Sequence, residues 1–179
     1  MIFWGFSMAT ASLPTDTTLQ ALAQSLGTLC QARGICLSTA ESCTGGWVAK
    51  VLTDIAGSSH WFERGFITYS NQAKQELLAV PAATLARAGA VSEAVVGAMA
   101  RGAIAHSRAD FSLAISGIAG PSGGSAKKPV GTVWLAWASR SGGELTRLAH
   151  LPGNREAVRR QAVMLGLRGL FDIIELATP

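Results

Sequence analysis

The chain has 179 residues, 49% hydrophobic and 15% charged, a balance that suits one domain with a layered core and excludes a disordered or collagen-like chain. Lys and Arg outnumber Asp and Glu by 15 to 11, which favours an anionic small molecule; without a basic stripe it argues against nucleic acid as a partner. Cys30, Cys36 and Cys43 are odd in number and lack CxxC spacing, so free thiols in a reducing, cytoplasmic compartment are expected rather than a disulfide framework.

The opening MIFWGFSMATASLP has no basic leader, and its apolar run is too short for a secretory signal or a membrane span. Residues 1–16 therefore read as an extension and 17–179 as the domain, with no membrane partner. Leu19, Leu22, Leu26, Leu29 and Cys30 recur at helical spacing from Thr17 to Ala32, and Gly34 stops that helix. Ile35 to Ala40 is a short apolar strand, Glu41 to Gly46 a polar glycine-rich loop, and Trp47 to Ile55 a helix.

Gly57-Ser58-Ser59 breaks that helix. Gly65 to Tyr69 reads as a second strand, and Asn71 to Leu78 as a helix capped by Ser70 or Asn71. Ser92 opens a helix running to about Ser107, and Phe111 to Ile115 is a buried strand that ends in the longest loop, SGIAGPSGGSAKKPVG. Thr132 to Ser139 and Glu144 to His150 form a hairpin about Ser141-Gly142-Gly143, and Asn154 to Leu176 is the closing helix. The order predicts a three-layer α/β/α sandwich with a mixed, mostly parallel sheet.

Ligands of such sheets gather outside the carboxyl ends of the parallel strands. The polar loops at those ends are Glu41-Ser42-Cys43-Thr44-Gly45-Gly46, then Tyr69-Ser70-Asn71 with Lys74 one turn into its helix, and Ser116-Gly117-Ile118-Ala119-Gly120-Pro121. The first offers hydroxyls and helix amino-terminal N–H groups to an anion or a developing oxyanion. A lysine desolvated beside a serine loses proton affinity and can act as its base, and Ser42 with Lys74 is the dyad the strand order allows within one chain.

Ser59 is a rival nucleophile. It precedes the second strand, so it reaches Lys74 only from a partner subunit or by a fold-back. Cys43 has no histidine on these loops to activate it, and His60, His106 and His150 have no ligand spacing, so no metal and no cofactor are expected. The glycines of the third loop with Lys127 and Lys128, and Arg155 and Arg159 at the start of the last helix, are candidates for a phosphate or carboxylate.

The stretches STAESCTGGWVAKVLTDIAGSSHWFERGFITYSNQAK, AVS, AISGIAGPSGGSAKKPVGTVWLAWA and PGNREAVRRQA, in that order, resemble the CinA carboxy-terminal domain family in its stand-alone form. The resemblance implies hydrolysis of the carboxamide of nicotinamide mononucleotide by a metal-independent serine–lysine amidohydrolase. By motif it implies catalytic roles for Ser42, Ser59, Tyr69 and Lys74. Ser116, Gly117 and Arg155 match ligand-side positions, and Glu41, Thr44, Gly45, Gly46, Asn71 and Gly120 are expected to line the substrate. Tyr69 would orient the lysine or donate to the leaving ammonia. A homodimer or higher homo-oligomer is expected; the alternatives are a non-catalytic nucleotide-binding module and a competence- or recombination-associated interaction module.

Overall fold

In the computed structural model, which describes residues 13–177, the elements follow the predicted order with one helix added. α1 (Asp16–Arg33), β1 (Leu37–Glu41), α2 (Trp47–Thr53), β2 (Phe62–Ile67) and α3 (Asn71–Leu78) come first. They are followed by α4 (Ala82–Ala88), α5 (Glu93–Ala105), β3 (Phe111–Gly117), β4 (Thr132–Ser139), β5 (Glu144–His150) and α6 (Arg155–Leu176). The added helix is α4; it buries only Leu85, so it leaves no apolar period in the sequence.

Thr15 caps α1 in a reciprocal capping box with Thr18, and Gly34 ends the helix in the left-handed conformation, φ 63°. Thr15 and Asp16 of the expected 1–16 extension thus belong to the fold, whereas residues 1–12 lie outside the described residues. β2 starts three residues before the predicted Gly65 and stops at Ile67 instead of Tyr69. Arg64 and Gly65 are exposed on this edge strand, so strict alternation is missing from its sequence, and only its pairing with β1 defines it.

The sheet order is β2-β1-β3-β4-β5. β1 lies parallel to both β2 and β3, while β4 is antiparallel to β3 and to β5, so β4 alone runs against the other strands. The exits of β1, β2, β3 and β5 therefore share one rim. Leu37, Leu113, Ile115, Val133, Leu135 and Trp137 pack on one face against α1, α2 and α6. Ala40, Ala114, Ala136 and Ala138 pack on the other against α3, α4 and α5.

Small residues set the spacing of that second face. A Cβ on Gly102 of α5 would stand 2.2 Å from the Leu78 carbonyl oxygen, so the glycine permits α5 to press against the end of α3. Leu78 is 1% exposed there, and burying a leucine fully is worth about 1.5–3 kcal/mol. This contact holds α3, and with it Lys74, against the sheet.

Candidate active site

Strand alternation decides where each residue of the ESCTGG loop faces. Ala40 looks toward α3 and α5, so Ser42, two residues on, returns to that side, and Glu41 points to the α2 side. The Ser42 N–H donates to the Ile115 carbonyl at 2.9 Å and the Glu41 carbonyl accepts from the Thr68 N–H at 2.8 Å, so the neighbouring strands fix the exit of β1 from both sides.

Lys74, one turn into α3, is 1% exposed, and its Nζ donates to Ser42 Oγ at 3.1 Å and to the Thr68 carbonyl at 2.7 Å. It makes no ion pair among the described residues. Burial therefore lowers its pKa below the usual 10.5, opposed only by nearby Cys43. A buried lysine with only neutral acceptors is suited to act as a base, and its hydrogen bond already reaches the serine it would deprotonate.

Glu41, expected on the substrate side, is committed elsewhere. It is 1% exposed, and its carboxylate accepts from the N–H groups of Gly46 at 2.9 Å, Val48 at 3.1 Å and Ala49 at 2.9 Å. It supplies the cap that Gly46, left-handed at φ 91°, cannot give α2. The helix amino terminus expected to meet a ligand is thus answered by the Glu41 carboxylate. Among the described hydrogen bonds, the N–H groups of Cys43 and Thr44 remain uncommitted, directly after Ser42.

Thr44 is fully buried, and its hydroxyl, like that of Thr68, meets no partner among the described residues. Cys43 is buried as well, and burial pushes its thiol up to about 12, so it is protonated at neutral pH. Arg159 donates to the carbonyls of Cys43 at 3.0 Å and Thr44 at 2.8 Å while stacking on Trp47, 5.1 Å from the ring centre. It is thus a brace for the serine loop. Lys128 is likewise spent, on the carbonyls of Ala88 at 3.1 Å and Val91 at 2.7 Å.

Ser116 donates to the Ala90 carbonyl at 2.8 Å, fastening β3 to the turn before α5, and a Cβ on Gly117 would collide with Val133 Cγ2 at 2.7 Å. Ser70, not Asn71, caps α3, and Asn71 stands exposed at its first turn. The Tyr69 hydroxyl does not meet Lys74; the Thr68 carbonyl orients the lysine instead, and Tyr69 accepts from Arg155 at 2.9 Å. Arg155 also donates to the Gly120 carbonyl at 2.9 Å. Arg155 also lines an open pocket of about 500 Å³, together with Trp47, Asn154, Glu156 and Arg159.

Ser59 is not brought to this group. It sits exposed in a 3-10 turn, Ser58–His60, ahead of β2, at the opposite end of the sheet from Ser42. A strand of that length spans roughly 17–20 Å. Among the described residues no three His, Cys, Asp or Glu side chains cluster as a metal would need, and no helix is long and apolar enough to cross a membrane.

The family model of the CinA C-terminal domain matches residues 19–174. The chain belongs to this family. Its CinA relatives include the nicotinamide-nucleotide amidohydrolase PncC of Escherichia coli (strain K12), 57% identical over 158 residues, covering 88% of this chain and 96% of the relative. The PncC of Pseudomonas putida is 53% identical over 137 residues, covering 76% and 85%. The crystal structure of the competence/damage inducible protein CihA from Agrobacterium tumefaciens superposes with a TM-score of 0.86 at 44% identity, covering 92% of this chain and 99% of that one. The three-layer fold with a mixed sheet is therefore that of CinA-superfamily structures.

Proposed function

We propose that the chain hydrolyses the carboxamide of nicotinamide mononucleotide to nicotinate mononucleotide and ammonia, with Ser42 as nucleophile and Lys74 as base. The relatives named PncC support the substrate. One observation carries the mechanism: a buried Lys74 with only neutral acceptors lies 3.1 Å from Ser42 Oγ.

Neutral Lys74 takes the Ser42 hydroxyl proton as Oγ attacks the carboxamide carbon. The Cys43 and Thr44 N–H groups, which directly follow Ser42 in the loop, are the donors assigned to the oxyanion. Lys74 returns the proton to the amide nitrogen, the C–N bond breaks, and ammonia leaves an ester on Ser42. Water then attacks that ester, giving its proton to Lys74, which passes it back to Oγ as the acid departs. The balance is one water consumed for one ammonia and one carboxylic acid. Ser59 enters this scheme only from a second copy of the chain, which gives the expected homo-oligomer its one bearing on the site.

The test is ammonia release by purified protein from nicotinamide mononucleotide, free nicotinamide and the dinucleotide, each with and without chelator. Turnover of the mononucleotide that survives the chelator is expected, because no ligand cluster is present among the described residues. Tight mononucleotide binding with no ammonia released would leave only a nucleotide-binding module. Activity abolished by chelator and restored by a divalent metal would overturn the metal-free route.

A further inference from the structure

The sheet order places β1 between β2 and β3, so Ser42 at the exit of β1 lies between Tyr69, beyond β2, and Gly120, beyond β3. One guanidinium joins those flanks: Arg155 donates to the Tyr69 hydroxyl and to the Gly120 carbonyl, each at 2.9 Å. It therefore ties together the loops that flank the exit of β1, where Ser42 lies. Both acceptors are neutral, and Arg155 makes no ion pair among the described residues. Glu156, the adjacent carboxylate, is paired with Arg160 at 3.1 Å.

A cation held only by a phenol and a carbonyl is a weak tie, because hydrogen bonds to an ionised acceptor are about twice as strong and a phosphate engages arginine bidentately. Arg155 lines an open pocket of about 500 Å³ with Trp47, Asn154, Glu156 and Arg159 at the amino-terminal end of α6, where the Arg159 guanidinium, though braced on the Cys43 and Thr44 carbonyls, adds its positive charge. An anion seated there would outcompete the neutral acceptors for Arg155.

We propose that Arg155 is an anion-operated latch: without ligand it ties Tyr69 to the Gly120 loop, and a phosphate monoester draws it into the Trp47–Arg159 pocket, freeing Tyr69 to hydrogen-bond the reacting carboxamide. The inference rests on the proposed function and deepens it. It makes the phosphate a condition for turnover as well as for binding, since energy from the remote group releases a positioning residue at the reacting one. Tyr69 stays a positioning residue throughout, for the proton travels between Ser42, Lys74 and the leaving nitrogen.

Tyr69 is the only tyrosine in the chain, so ¹³Cζ-tyrosine labelling gives a single resonance that reports the latch directly. Titration with inorganic phosphate at constant ionic strength is expected to shift that resonance to a plateau. In Arg155→Gln it should start near the released position and ignore phosphate. A wild-type resonance unmoved by phosphate, one moved equally by chloride, or an Arg155→Gln resonance that answers as wild type does, would each overturn the latch. In the kinetic arm, inorganic phosphate should raise wild-type turnover of the dephosphorylated riboside by about tenfold or more and leave Arg155→Gln unaided; no rise in wild type overturns the latch. The two readings fail separately. A mononucleotide hydrolysed with the resonance unmoved removes the latch alone, and a resonance that moves in a protein releasing no ammonia removes the amidohydrolase reading alone.

Discussion

Ser42 with Lys74, and Tyr69 with Arg155, occupy the same rim and are built to opposite rules. Lys74 is 1% exposed and fixed by the packing of α3 on α5, whereas Tyr69 is 61% exposed and meets its partner across loops from different strands. The first pair is buried, which favours the neutral form of its lysine; the second leaves a guanidinium exposed to solvent, as the proposed latch requires. Under the proposed function, the chemistry that needs a shifted pKa falls to the buried pair and the recognition that needs a mobile charge to the exposed one.

That contrast is broken most severely by a change of charge in the buried pair. Lys74→Arg keeps a cation of similar reach that does not deprotonate near neutral pH. Turnover should fall about a thousandfold or more while mononucleotide binding persists, with Ser42→Ala behaving alike. In the wild type the rate should rise with pH as Lys74 loses its proton and level off below 10.5, since burial lowers that pKa. Steady-state kinetics across pH beside calorimetric binding checks both, and Lys74→Arg turnover within about tenfold of wild type rejects the dyad.

A smaller effect is expected at Cys43, next to the nucleophile. Its thiol is pushed up to about 12 by burial, so no thiolate is available at neutral pH. Cys43→Ser should keep the rate within about tenfold, its cost coming from repacking the serine loop. A loss near a thousandfold in a protein with unchanged circular dichroism would move the nucleophile to sulfur.

The dyad was legible because alternation and strand order are properties of the sequence: Ser42 follows β1 by one residue and Lys74 sits one turn into the helix after β2. What stayed hidden was which polar groups are already spent. Glu41, Ser116, Lys128 and Arg159 all carry ligand-binding chemistry in sequence, yet the structure commits them to backbone partners, Glu41 to the N–H groups that open the next helix and Arg159 to carbonyls 115 and 116 residues away. α4 and the start of β2 were missed for a related reason. α4 is mostly exposed and β2 has no fully buried residue, so each is defined by a neighbour instead of by its own apolar period.

The smallest effect is one of stability and has the sign opposite to the activity change. In the folded chain Lys74 binds a proton less readily than the unfolded value of 10.5, so between the lowered pKa and 10.5 the unfolded state carries more protons. Stability contributed by this group therefore rises with pH through that window and is lowest below it, where folding must expel the proton or bury the charge. Lys74→Met fills the same volume without that penalty. It should be inactive and yet more stable near neutral pH, by about 1 kcal/mol or roughly 2–4 °C in Tm, with the gain shrinking as the pH approaches 10.5. Thermal melts of both proteins across pH measure the difference. A Met variant that melts lower than wild type at pH 7 would mean that the hydrogen bonds to Ser42 and the Thr68 carbonyl stabilise the fold more than desolvation of the amine costs it, and Lys74 would then be a structural pin before it is a base.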